Sequence, residues 1–154
     1  MAEIRLEPIG YVRGGRTQPI DDDWDSVDAL IELDASRFGP AVVAGLDDFS
    51  HLDVVFHFHG VAERDVNLGA RRPRGRPDWP EVGIFAQRAK ARPNRLGVST
   101  CTLVGVDGLA LRVRGLDAID GTPVLDIKPH VPEMGPRGQV QEPDWMIELM
   151  RDYW

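Results

Sequence analysis

His51-Leu-Asp-Val-Val-Phe-His-Phe-His59 carries the clearest pattern in this 154-residue chain. Leu52, Val54, Phe56 and Phe58 fall on one face, and His51, Asp53, Val55, His57 and His59 on the other. A period of two is the mark of a strand with one apolar face. Working outward, the same logic finds more strands. Val27-Asp-Ala-Leu-Ile-Glu-Leu33 alternates loosely. Thr100–Val106 and Leu109–Arg114 flank Asp107-Gly108, a pair that signals a hairpin when it lies between two β-like runs. Val82–Phe85 and Val124–Lys128 are short apolar runs, the second stopped by Pro129. Pro40-Ala-Val-Val-Ala-Gly45 reads as a short helix ended by its glycine. Near the C-terminus, Pro143 suits a first helical turn. Trp145, Met146, Leu149, Met150 and Tyr153 then recur at helical spacing. The sum is mostly antiparallel β with few helices, a barrel or a sandwich.

Composition sets the outer bounds. The length fits one domain, residues 1–154, which buries roughly 70% of the surface its unfolded chain exposes. Hydrophobic residues make 42% and charged residues 28%, ordinary for a globular chain. The 16 glycines and 12 prolines are spread along the sequence, so they read as turns and not as a disordered tract. Cys101 is the only cysteine, which excludes an internal disulfide and every cysteine-based zinc spacing. MAEIRLEPIG has no apolar core of a signal peptide, and no apolar run approaches a membrane span. The expectation is a cytoplasmic protein with no membrane partner. A net charge of −7 argues against a broad nucleic-acid footprint and leaves room for a local basic patch.

Several constellations can carry chemistry. There is no dinucleotide-binding glycine fingerprint, P-loop, H-E-x-x-H or G-x-S-x-G. His51, His57 and His59 share a strand face with Asp53; they either line a pocket and bond backbone, or converge on a metal. Arg71-Arg-Pro-Arg-Gly-Arg76 either forks phosphates or is a solvated loop. Arg88-Ala-Lys-Ala-Arg92-Pro-Asn94 crowds one sheet edge, where Arg88 either clamps a ligand carboxylate or makes a surface ion pair. Asp117-Ala-Ile-Asp120-Gly121-Thr122-Pro123 packs two carboxylates, a hydroxyl and a glycine into a tight connection. By pattern alone, a self-bonded turn around Asp120 is its more natural reading.

Four ordered blocks then carry a resemblance. They are Pro8-Ile-Gly-Tyr-Val-Arg13; Gly45-Leu-Asp-Asp-Phe-Ser-His-Leu52 with Phe58-His59; Gly83-Ile-Phe-Ala-Gln-Arg88 with Arg92-Pro-Asn94 and Leu96-Gly-Val-Ser99; and Leu116-Asp-Ala-Ile-Asp-Gly-Thr-Pro-Val-Leu-Asp-Ile-Lys-Pro129. Together they resemble the TsaA-like (TrmO-like) family of S-adenosylmethionine-dependent tRNA methyltransferases. The resemblance implies a mainly β fold, a small antiparallel β-barrel with few short helices and a C-terminal helix. It implies N6-methylation of threonylcarbamoyladenosine in the tRNA anticodon loop, by a homodimer with its site near the interface. It places the cofactor, S-adenosylmethionine, on Gln18, Pro19, His59, Gly60, Arg88, Asp117, Asp120, Gly121 and Thr122. No metal is assigned. Arg92, Asn94, Lys128 and His130 are the candidates for substrate contact, and His59 and Asp120 for the general base. His130 stands where the family commonly has tyrosine, and the chain stops at Trp154 where many bacterial members continue into a further domain. Both departures bear on the substrate. The alternatives are methyl transfer to a small molecule or another RNA, and a module that binds the cofactor without turnover.

Overall fold

The computed structural model describes residues 1–154, and the alternating stretch quoted above folds as β3, His51–His57. Leu52, Val54 and Phe56 are at most 1% exposed, while Asp53, Val55 and His57 are half-buried on the opposite face. The strand ends two residues earlier than the alternation predicts. His59 N–H turns back to the His57 carbonyl at 2.8 Å, while Phe58 still packs on the core, edge-on to Phe56 at 5.3 Å between centroids.

The other strands are β1 (Gly10–Arg13), β2 (Asp28–Leu33), β4 (Ala70–Arg71), β5 (Val82–Gly83), β6 (Leu96–Asp107), β7 (Ala110–Arg114) and β8 (Pro123–Pro129). Six of them close a barrel in the order β1-β2-β7-β6-β3-β8, with every neighbour antiparallel. β4 and β5 form a separate two-stranded ribbon. Closure gives every barrel strand a neighbour on both sides, although the first half of β6 pairs only with β3. The barrel interior is filled by inward residues such as Val12, Ile31, Leu52, Phe56, Leu111, Val113 and Val124. Fully burying one such side chain stabilises by roughly 1.5–3 kcal/mol. At Gly10 a side chain is impossible without movement, because a Cβ would sit 2.3 Å from the Glu32 carbonyl oxygen.

β6 starts at Leu96 and not near Thr100, because its first half pairs with β3 (His57↔Leu96 to His51↔Thr102) and its second half with β7. The hairpin turn lies one residue beyond the expected Asp107-Gly108. Asp107 pairs with Ala110, so Gly108 and Leu109 form the loop. Gly108 takes φ 58°, the positive-φ first position that favours glycine. The helix expected from Pro40 is a single 3₁₀ turn, Pro40–Val43, followed by another at Leu46–Asp48, with Gly45 (φ 83°) between them.

The C-terminal helix, α1, spans Asp144–Met150. Trp145, Met146, Leu149 and Met150 are half-buried, while Ile147 and Glu148 face out. Seven residues are too few for a stable isolated helix, and the tail beyond it is tied down. Asp23 N–H and Trp24 N–H donate to the Asp152 and Tyr153 carbonyls, each at 2.9 Å. No helix is long and apolar enough to cross a membrane.

Candidate functional site

In the connection from β7 to β8, Gly115 at φ 76° shifts the inward–outward alternation by one residue. Leu116 and Ala118 are buried at 1% and 4%, which holds Asp117 between two anchors. The loop then clamps onto the segment after β1. Asp120 Oδ1 accepts the Gly14 N–H at 2.8 Å, Asp120 N–H donates to the Arg16 carbonyl at 2.7 Å, and Gly121 N–H donates to the Val12 carbonyl at 2.7 Å. Gly121 takes φ 83°. Asp120 therefore serves a distant segment and not its own turn. Thr122 is 2% exposed, and its hydroxyl is spent on the Ile119 carbonyl at 2.6 Å.

Asp117 is the centre of the site. Its Oδ2 accepts a hydrogen bond from the Tyr153 hydroxyl, and its Oδ1 is buried with no partner. A buried acceptor without a donor is costly and rare, and a ligand is one thing that satisfies it. Burial, then the Asp117 charge, push the Tyr153 hydroxyl well above the usual phenol range; Arg88 and Arg74 pull the other way. The charges of Asp117, Arg88 and Arg74 thus all bear on Tyr153. Arg88 donates through Nη2 to the Val98 carbonyl at 2.8 Å. Val98 lies on the part of β6 that pairs only with β3, so Arg88 covers the edge that β7 leaves free.

His59 closes the other side. Its Nε2 would lie 3.8 Å from a Cβ placed on Gly121, so the imidazole stands directly over that glycine. His57 behind it is held below the usual imidazole value, first by burial and then by the charges of Arg95 and His59. Gly60 follows, exposed. Gln18 and Pro19 are exposed on the loop that Arg16 organises: its guanidinium donates to the Asp22 and Asp23 carbonyls and lies 4.6 Å from the Trp24 ring centre.

The four substrate candidates are not gathered in one place. Arg92 shapes its own loop by donating to the Gln87 and Ala89 carbonyls at 2.8 and 3.2 Å, and Asn94 is exposed at the tip. Lys128 and His130 flank Asp53 instead. Lys128 stands opposite Asp53 in register and pairs with Asp126 at 3.2 Å. His130 Nδ1 lies 3.0 and 3.2 Å from the Asp53 oxygens, and Thr100 Oγ1 donates to the same carboxylate at 2.6 Å. The histidines of β3 diverge: His51 shares a 2.6 Å hydrogen bond with Ser50, while His57 sits beside Arg95 and His59.

The arginine loop lies closer to the solvated-loop expectation than to a set of free phosphate grips. Arg72 donates to the Pro77 and Trp79 carbonyls, Arg74 pairs with Asp22 at 2.9 Å, and Arg76 pairs with Asp78 and stacks 4.2 Å from the Trp79 ring centre. Arg74 ties this loop to Asp22, while Arg72 and Arg76 brace their own loop; all three stay exposed, and Arg71 is half-buried with its Nε unpartnered. Tyr153 and Arg74 are the site residues that the sequence did not reveal. Tyr153 is visible in the sequence only as part of an apolar helical stripe, because its polar partner is 36 residues away.

The fold is a closed antiparallel barrel with a half-buried carboxylate, an arginine and a histidine on its connecting loops. The chain belongs to the family of the tRNA-methyltransferase O N-terminal domain, whose model matches residues 16–135. It is 40% identical over 143 residues to the "Probable S-adenosyl-L-methionine-binding protein" of Pyrococcus abyssi, covering 90% of this chain and 74% of that one. It is 42% identical over 145 residues to the tRNA (adenine(37)-N6)-methyltransferase of Escherichia coli, covering 86% of this chain and 60% of that one. The crystal structure of TrmO from Pseudomonas aeruginosa superposes with a TM-score of 0.73 at 28% identity, covering 91% of this chain and 62% of that one. The chain thus spans about three-fifths of the length of the last two.

Proposed function

We propose that this protein binds S-adenosylmethionine at the Asp117–Thr122 loop and transfers its methyl group to N6 of threonylcarbamoyladenosine in a tRNA anticodon loop. The observation that supports the reading is the unpartnered, buried Oδ1 of Asp117, with His59 standing over Gly121 of the same loop. The cofactor offers ammonium and ribose hydroxyl donors for that oxygen and a carboxylate for Arg88. The names of the P. abyssi and E. coli relatives support the cofactor and the reaction.

The cofactor supplies an electrophilic methyl on a sulfonium, which needs no metal. The protein's task is alignment, worth roughly 7–11 kcal/mol when reacting atoms are held about 3–3.5 Å apart. An acidic N–H also has to lose its proton. Of the two base candidates, Asp120 already spends Oδ1 on the Gly14 N–H, so His59 is the better placed. Thr122 contributes through its backbone, since its hydroxyl is engaged. The protein works as a homodimer in the cytoplasm; exposed Phe85 and Val98 beside Arg88 give a partner an apolar surface near the site.

The test is incubation with methyl-labelled cofactor and tRNA carrying threonylcarbamoyladenosine, followed by nucleoside mass spectrometry. Label in the N6-methylated nucleoside is expected. Cofactor binding by calorimetry without transfer to tRNA would move the reading to a small-molecule methyltransferase or a binding module, separated by transfer to a metabolite extract. Arg88→Ala is expected to weaken cofactor binding at least tenfold, the scale of one charge-assisted hydrogen bond of about 1.5–3 kcal/mol.

A further inference from the structure

Arg72, Arg74 and Arg76 are engaged in loop contacts, so a polyanionic substrate needs further cations elsewhere. The outer face of β1-β2-β7-β6 supplies them. Val12, Ile31, Leu111 and Val113 point into the barrel, so Arg13, Leu30, Arg112 and Arg114 point out. Register sets three of these in one row across the sheet: Arg13 opposite Leu30, Leu30 opposite Arg112, and Arg112 opposite Gly105. Strands lie about 4.8 Å apart, so the two arginine backbones of the row stand about 10 Å apart with Leu30 between. Arg112 lies flat on Gly105, where a Cβ would be 2.6 Å from its Nη2. An open groove of about 430 Å³ is lined by these residues and Val104.

Charge picks the occupant. The chain as a whole has 25 acidic and 18 basic residues, yet this groove holds three arginines against one carboxylate, Asp28. Asp28 is paired with Arg114 at 2.7 Å. Arg13 has only Glu32, at 3.8 Å with both half-exposed, and Arg112 has no carboxylate within ion-pair distance. Two residues of the groove lining adjoin the proposed cofactor loop. Gly14 donates to Asp120, and Arg114 is followed directly by Gly115, Leu116 and Asp117.

We infer that this groove is a phosphodiester-binding track, in which Arg13 and Arg112 hold the sugar–phosphate backbone of single-stranded RNA leading to the Asp117–Thr122 loop. The inference rests on the tRNA reading above and adds the surface that receives the RNA. Leu30 and Val104 give ribose and base faces an apolar floor, while the arginines neutralise phosphates without reading sequence.

The test measures binding of an anticodon stem-loop RNA to the full chain across a salt series, with cofactor affinity measured in parallel by calorimetry. Arg13→Ala/Arg112→Ala is expected to lose at least tenfold in RNA affinity and to lower the slope of log affinity against log salt by about 1.4, two contacts at about 0.7 each. Arg112→Lys, which keeps the charge, is expected to retain the slope. Cofactor affinity should not change. Wild-type RNA binding and slope in the double variant would overturn the track and leave the methyl-transfer reading standing. A parallel loss of cofactor affinity would mark a disturbed loop and overturn it too. If the wild-type chain binds no RNA, the tRNA reading falls with it. Equal binding of poly-glutamate would reassign the groove to an acidic protein.

Discussion

The Tyr153 hydroxyl donates its proton to Oδ2 of Asp117, a carboxylate whose other oxygen is buried and unpartnered. The tail after α1 thus supplies the one donor in the fold that this carboxylate has. Tyr153→Phe removes that donor and leaves both oxygens unsatisfied. Its expected cost is about 1–3 kcal/mol of stability, the penalty for stranding a buried polar group. Urea unfolding of the variant beside the parent measures it; an unchanged midpoint would show that Asp117 finds water instead.

Asp120 separates anchoring from charge. As the acceptor for the Gly14 N–H it needs an oxygen and not a negative charge. Asp120→Asn should therefore keep most cofactor affinity, and Asp120→Ala should lose about tenfold through a loosened loop. Calorimetry decides between the two roles: equal losses in both variants would mean that the charge itself meets the ligand.

His57 sets a pH dependence of known sign. Burial, Arg95 and His59 hold its imidazole below the ordinary value of 6.5. The unfolded chain therefore takes up a proton near pH 6.5 while the folded chain does not. Unfolding is favoured as protons become available, so stability present above pH 6.5 is lost as pH falls through the folded value. Denaturant midpoints at pH 7.5 and 5.5 should differ less in His57→Gln than in the parent.

Cys101 should be chemically silent. It is 2% exposed, and burial, with the charges of Asp117 and Asp53, pushes its thiol up to about 12. Reactivity follows the thiolate. Iodoacetamide at pH 8 is expected to leave the folded protein unmodified and to label it fully in urea. Stability should also fall between pH 9 and 12, where the unfolded thiol loses its proton and the folded one keeps it. Labelling of the folded chain at the rate of a free thiol would contradict both statements.

What sequence reading reaches and what it misses has a physical division. Strand alternation is local, so β3 and the second arm of the hairpin are legible from residue types alone. The exact turn is not: Asp107-Gly108 and Gly108-Leu109 differ by one position, and pairing with the distant strand β3 sets where β6 begins. Barrel closure joins Gly10 to Val124 and leaves no local trace. The cofactor loop is visible by pattern as a tight polar turn, and only likeness to a family assigns it a ligand. The arginine run shows its charge in the sequence but not its partners, because Asp22 and Glu148 approach from opposite ends of the chain.

The seam between β1 and β8 holds only two register pairs, Gly10↔Val124 and Tyr11↔Pro123. Immediately beyond it, Gly121 N–H reaches the Val12 carbonyl and Gly14 N–H reaches Asp120. The loop proposed to hold the ligand is therefore also the clasp that keeps the cylinder shut. Occupancy of this loop should be felt as slower amide exchange at Gly14 and Gly121, and as a higher melting temperature set by mass action. A thermal-shift screen against this barrel would then report on its seam, and a mutation that frays the seam would register first as weak binding.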